Sequence, residues 1–283
     1  MTPILDIASL VAAVHGRDTA RLVLVDARRS RASYLASHLA GARWVDLDRE
    51  LAAPAVDASR GGRHPLPAPE DFARVLGRLG IEGDAQRVVV YDDQGGALAA
   101  ARLWWMLRAF QHAEVQVLDG GWAAIEEAAA RGELALERGL TPDAHGTHEV
   151  RAWRGEVSSL EEVDRARLDP RWLVLDVRAA DRYRGENESI DPVAGHIPGV
   201  LNAPYAATNL DERGRFRDPE TLRRTYQSLL AGRALERLVV HCGSGVTACH
   251  TLLSLEHAGL RGARLYVGSW SEWCRRPDLP RVR

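Results

Sequence analysis

The chain has 283 residues, 46% hydrophobic and 27% charged, which is enough for two ordinary domains with cores. Its 37 basic and 39 acidic residues leave a formal charge of −2, so neither nucleic acid nor an acidic membrane surface is an expected partner. Every basic residue is arginine, which excludes ammonium chemistry and makes any fixed cation in a site a guanidinium.

The N-terminus, Met1-Thr2-Pro3-Ile4-Leu5-Asp6, has no basic stretch leading into an apolar one, as a secretion signal would. No apolar run is long enough to span a bilayer. Short apolar and β-branched runs predict strands near 22–25, 43–45, 88–91 and 115–118, with helices near 70–79, 97–110 and 122–131. The turn-rich stretch 141–155 reads as a linker. Beyond it, strands are predicted near 172–175, 200–202, 238–241 and 264–267, and helices near 159–167, 219–231 and 247–258. Alternation of this kind predicts an α/β fold whose mostly parallel sheets are covered by helices on both faces.

The two halves match at an offset of about 150 residues. Leu22-Val23-Leu24-Val25-Asp26-Ala27-Arg28 pairs with Leu173-Val174-Leu175-Asp176-Val177-Arg178 on the Asp-x-Arg. His38-Leu39-Ala40-Gly41-Ala42 pairs with His196-Ile197-Pro198-Gly199-Val200, and Gly120-Gly121-Trp122 with Gly268-Ser269-Trp270. Val88-Val89-Val90-Tyr91-Asp92 pairs with Leu238-Val239-Val240-His241-Cys242. The period is too long for a solenoid, so the chain reads as a duplicated domain, 1–140 and 156–283. Arg178 sits in an element common to both halves, which points to a structural role.

The most informative segment is Cys242-Gly243-Ser244-Gly245-Val246-Thr247, placed between a predicted strand and a predicted helix. Two glycines let such a loop curl until its backbone N–H groups point inward, and the helix N-terminus adds positive potential. A thiolate is stabilised there, so Cys242 is the candidate nucleophile. Cys249, on the helix that follows, reads as a small core residue. Three cysteines make no disulfide framework, and no cluster of Cys and His suggests a metal. A reducing cytoplasm is the expected setting. The first half carries Asp92-Asp93-Gln94-Gly95-Gly96-Ala97 at the same place. Its carboxylate is no soft nucleophile, and Asp93-Gln94-Gly95 is not expected to aim N–H groups at residue 92. The first domain is therefore expected to be catalytically silent.

On these residues the chain resembles the tandem-domain rhodanese-like sulfurtransferases. Its loop is similar to that of the 3-mercaptopyruvate members, with Gly195-His196-Ile197-Pro198-Gly199 and Gly268-Ser269-Trp270-Ser271-Glu272-Trp273 in support. The resemblance implies that Cys242 takes sulfur from 3-mercaptopyruvate as a persulfide and passes it to cyanide, a small thiol or thioredoxin, without a cofactor. It implies that Gly243, Gly245, Val246 and Thr247 line the donor site and that Arg182 binds the donor's anionic group. It further implies a proton relay of Ser244 with His64 and Asp48. The family pattern calls for a second arginine shortly before Gly195, and residues 186–194 contain none. Thiosulfate, a dianion, is the alternative donor; Gly243 and Ser244 supply no cation for it. A cysteine phosphatase would need arginine at position 248, which is Ala248. A persulfide carrier loaded by a partner protein fits the same residues.

Overall fold

In the computed structural model, which describes residues 2–17 and 19–283, the chain divides into two units. The first comprises Met1–Ala52 and Pro67–Arg154, the second Ala53–Leu66 and Gly155–Arg283. The division differs from a simple cut at the linker. Residues 53–66, assigned by sequence to the first repeat, belong to the second unit, and the turn-rich stretch up to Arg154 belongs to the first.

The first unit runs β1 (Ile4–Leu5), α1 (Ile7–Val14), β2 (Leu22–Asp26), α2 (Arg31–Ala36), β3 (His38–Leu39), β4 (Arg43–Trp44), α3 (Pro69–Leu79), β5 (Arg87–Tyr91), α4 (Ala99–Ala109), β6 (Val115–Leu118), α5 (Gly121–Ala130) and β7 (Leu136–Glu137). Its main sheet is parallel, in the order β1-β6-β5-β2-β4, with β3 and β7 paired antiparallel apart from it. Val88, Val89, Val90 and Tyr91 are wholly buried, as a central strand covered on both faces requires. Helix α3 starts at Pro69 with Glu70 and Asp71 in its first turn, and it stops at Gly80 with φ +83°. Trp153, in the stretch read as a linker, packs 5.1 Å from Phe72 and from Phe110.

The second unit runs α6 (Leu160–Ala166), β8 (Leu173–Asp176), α7 (Ala180–Tyr183), β9 (Leu201–Asn202), α8 (Tyr205–Asn209), α9 (Pro219–Leu230), β10 (Leu238–His241), α10 (Thr247–His257), β11 (Arg264–Leu265) and α11 (Ser269–Trp273). Its parallel sheet has the order β11-β10-β8-β9, extended beyond β11 by a parallel bridge from Val157 to Leu265. With that bridge counted, the strand order repeats that of the first unit.

Side-chain architecture repeats as well. Asp26 grips Arg28 as Asp176 grips Arg178, and Tyr34 stacks on His38 as Tyr183 stacks on His196. Arg28 lies over Trp122 and Arg178 over Trp270. The structural reading of Arg178 agrees with this geometry. Among the described residues, no helix is long and apolar enough to cross a membrane.

Candidate active site

Cys242 follows β10 directly and is 2% exposed. The loop after it is buried through Val246, and Thr247 opens α10. Its carbonyls are committed: Trp270 N–H donates to Cys242 O at 3.0 Å, Ser271 N–H to Gly243 O at 2.9 Å, and the Cys249 thiol to Gly245 O at 3.3 Å. In a planar trans peptide the N–H of the next residue points opposite to the carbonyl. The N–H groups of Gly243 and Ser244 are therefore turned away from α11, and that of Val246 away from Cys249. Gly245 has φ +73°, and a Cβ there would lie 2.5 Å from Val267 O, so only glycine fits. The Ser269 hydroxyl, on a residue with φ +53°, accepts the Cys242 N–H at 3.2 Å. These contacts give the Gly268-Ser269-Trp270 motif its role: it clamps the backbone of Cys242. Cys249 is wholly buried, as expected of a core residue.

Residues 53–66 bring a second segment to this loop. Gly61 N–H donates to Glu272 at 2.8 Å and Arg63 N–H to Ser271 Oγ at 3.1 Å, so the segment docks on α11. Gly62 permits the approach, because a Cβ at its φ of +79° would fall 2.4 Å from Gly268 O. The result places His64 Nδ1 at 2.8 Å from Ser244 Oγ. Ser244 is 6% exposed, so the bond is largely shielded from water.

Arg182, in α7, spends its Nε and Nη2 on Glu188, whose carboxylate is almost wholly buried. Its Nη1 lies 3.5 Å from the point a Gly243 Cβ would occupy. Arg63 Nη2 lies 3.4 Å from the same point. Arg63 Nη1 is bound to Asp191, a carboxylate with no side-chain exposure that also accepts from Arg275 at 3.0 Å and lies 3.6 Å from Arg182. Three guanidiniums thus surround one buried carboxylate, and two of them face Gly243 in the Cys242 loop. Beneath them Arg178 is buried against Asp176. Burial disfavours its charge, but Asp176, then Glu188 and Cys242, outweigh burial and hold it above its ordinary range.

The first unit carries the corresponding loop, and the expectation about it is corrected. Four backbone N–H groups converge on the Asp92 carboxylate: Gln94 at 2.9 Å, Gly96 at 2.8 Å, Leu98 at 3.1 Å and Ala100 at 3.2 Å. Trp122 N–H donates to Asp92 O as Trp270 N–H does to Cys242 O. The loop does aim N–H groups at its first residue, and an internal carboxylate already occupies them.

Of the residues singled out from sequence, Cys242, Gly243, Ser244, Gly245, Val246, Thr247, Arg182 and His64 all lie in the second unit. Asp48 lies in the first, half exposed, with its carboxylate 3.5 Å from Arg29. Arg63, Glu188 and Asp191 were missed. In the sequence Arg63 stands out only as the neighbour of His64, and Glu188 and Asp191 lie in a charged stretch with no motif to mark them. Among the described residues, no three His, Cys, Asp or Glu side chains cluster as a metal site requires.

A thiol at the end of a parallel strand, in a clamped glycine loop on the second of two repeated units, places the chain in a class of two-domain sulfur-handling proteins. Residues 9–128 and 159–276 both match the rhodanese-like domain, and the chain belongs to the rhodanese-like family as a tandem-domain sulfurtransferase. It is 43% identical over 266 residues to the probable 3-mercaptopyruvate sulfurtransferase of Pseudomonas aeruginosa, covering 92% of this chain and 89% of that one. It is 35% identical to human 3-mercaptopyruvate sulfurtransferase, over 87% of this chain and 80% of the human one. SseA from Escherichia coli, solved among the 3-mercaptopyruvate sulfotransferases, superimposes with a TM-score of 0.76 at 31% identity, over 96% of this chain and 100% of that one.

Proposed function

We propose that the chain moves sulfur from 3-mercaptopyruvate through a Cys242 persulfide to a nucleophilic acceptor, cyanide or a thiol, thioredoxin included. The Cys242 thiolate attacks the donor sulfur. A sulfur–sulfur bond forms, the bond from sulfur to C3 breaks, and its electron pair stays on the carbon as the enolate of pyruvate. Protonation of C3 completes pyruvate. An acceptor then attacks the terminal sulfur and releases the Cys242 thiolate. Arg182 holds the carboxylate through a charge-assisted contact. Gly243, Gly245, Val246 and Thr247 shape the pocket, with loop N–H groups stabilising anionic sulfur.

The observation that carries the donor reading is the His64–Ser244 hydrogen bond at 2.8 Å, two residues beyond the nucleophile. It supplies a path for the proton that C3 must receive. A second reading, thiosulfate as donor, is favoured by a different feature. Cations beside the cysteine, absent from Gly243 and Ser244 themselves, are supplied by Arg63 and Arg182. Loss of sulfite needs no proton.

Two measurements test this. Side-by-side kcat/KM values with cyanide as acceptor should favour 3-mercaptopyruvate over thiosulfate; a strong preference for thiosulfate overturns the choice of donor. Intact mass after donor treatment should show one added sulfur on the wild type and none on Cys242→Ser, because a serine hydroxyl cannot form a persulfide. Equal loading of the variant would remove Cys242 from its role. Cys274 is a poor substitute, since burial and then the Asp191 charge push its thiol up to about 11.

A further inference from the structure

We infer that the first unit carries a ligand site of its own, at the opposite end of its sheet from Asp92, that takes an oligophosphate. A cavity of about 660 Å³ lies where β2 and β5 begin, and Arg17, Arg21 and Arg87 line it together with Ser9 and Gln116. Among the described residues that line it there is no carboxylate. Arg87 is the first residue of β5 and Asp92 follows its last, so the strand holds the two about 16 Å apart.

The second unit shows what this end of the sheet is like when its cations are satisfied. There Arg264 lies 3.8 Å from Glu156 and 3.4 Å from Glu162, Arg171 lies 2.7 Å from Asp169, and Arg237 sits over the Trp172 ring. The first unit has none of those partners. Pro3 stands where Glu156 does, since Val117 N–H donates to Pro3 O as Leu265 N–H donates to Glu156 O. Ser9 stands where Glu162 does, each the third residue of a helix capped by Asp6 or by Ser159. The register of β2 on β5, and of β8 on β10, sets Thr19 in place of Asp169 and Leu22 in place of Trp172. The same register keeps arginine at both remaining places, Arg21 for Arg171 and Arg87 for Arg237. Arg264 alone gives way, to Gln116, whose Oε1 accepts from Arg87 Nε at 2.9 Å and Nη2 at 2.6 Å. An amide orients that guanidinium without cancelling its charge, and Gln116 is itself fixed by donating to Thr2 O at 2.8 Å.

Three guanidiniums around one cavity repel one another until an anion enters, and each offers paired N–H groups that match phosphate oxygens. A single phosphate carries only about −1.5 to −2 at neutral pH, so an occupant with two or more phosphates balances the site better. The volume is in the range of small-molecule sites.

The test uses the full chain and titrates pyrophosphate by calorimetry at low ionic strength, where screening is weak. Arg21→Gln should weaken binding about tenfold or more, and Ser9→Glu, which restores the carboxylate that the second unit has, should weaken it at least as much. Arg182→Gln should leave binding within about twofold of wild type, which separates this site from the guanidiniums at the Cys242 loop. Arg21 is exposed, so its removal leaves the fold intact, and the ligand-free urea midpoint of each variant checks this. ATP should compete with pyrophosphate and adenosine should not. ATP binding more than about tenfold tighter than pyrophosphate would make the occupant a nucleotide, and equal binding a free oligophosphate; either sustains the site. A wild type that takes up no pyrophosphate, binding unchanged in both Arg21→Gln and Ser9→Glu, or binding lost only in Arg182→Gln each overturns it.

Discussion

At the scale of single residues, fixed charge and a transferable proton sit on different groups near the Cys242 loop. Arg182 and Arg63 carry fixed charge and are locked to buried carboxylates, whereas Ser244 and His64 share one mobile hydrogen. Their removal should therefore read out differently. Ser244→Ala breaks the path from His64 while leaving both guanidiniums in place. Turnover of 3-mercaptopyruvate should fall about 100-fold in kcat, within the usual contribution of a positioned acid or base, with KM little changed. Thiosulfate turnover should fall less than threefold, because sulfite leaves without that proton. His64→Ala should reproduce the pattern. Equal losses with both donors would show that Ser244 braces the loop and relays nothing.

At the scale of elements, the paired loops show one device used twice. The N–H groups after β5 close on the Asp92 carboxylate, and the matching loop after β10 begins with the Cys242 thiol instead. Asp92→Ala would leave four buried N–H groups without an acceptor, so it should cost about 3 kcal/mol or more, measured as a fall in the urea midpoint. Asp92→Cys in a Cys242→Ser background should take up no sulfur, because Gln94 and Ser33 stand where Ser244 and Arg182 stand in the second unit. Uptake of one sulfur there would show that the N–H groups alone suffice. The long elements were legible in the sequence for a simple reason. β5 and β10 are buried on both faces and read as unbroken apolar runs, and α3, α9 and α10 last long enough to show a period. The short elements α7, α8 and α11 were not legible, because four or five residues carry no period and tertiary contacts hold them. The docking of residues 53–66 was hidden likewise. It depends on Gly62 meeting Gly268 and on Arg63 meeting Asp191, pairs far apart in the chain with no repeat counterpart.

At the scale of the whole chain, stability should depend on pH through histidines that folding keeps neutral. Burial lowers the pKa of His112 in the first unit and of His241 and His257 in the second, each from an ordinary value of 6.5. His241 has no exposure, and its Nε2 has no hydrogen-bond partner, with Asp176 4.0 Å away. On acidification the unfolded imidazoles take protons first, so the unfolded state binds more protons and stability must fall. Their contribution is fully present above about pH 6.5 and is lost as pH falls toward the folded values, at no more than about 1.4 kcal/mol per pH unit for each histidine. The carboxylates act lower. Asp169 is held to about 2 by its side-chain hydrogen bond with Arg171, and Asp84 is held below its usual range by Arg151, so their share survives until pH falls below about 4. The urea midpoint should therefore drop between pH 7.5 and 5.5, above the range in which Asp169 and Asp84 titrate. His241→Gln should make that drop shallower, since an amide has no proton to refuse. If the wild-type midpoint instead stayed flat over this range, His241 would have to protonate inside the fold, with Asp176 as its counter-ion. In that case the buried Asp176–Arg178 pair, not the histidine, would be the element in the second unit that acid disturbs first.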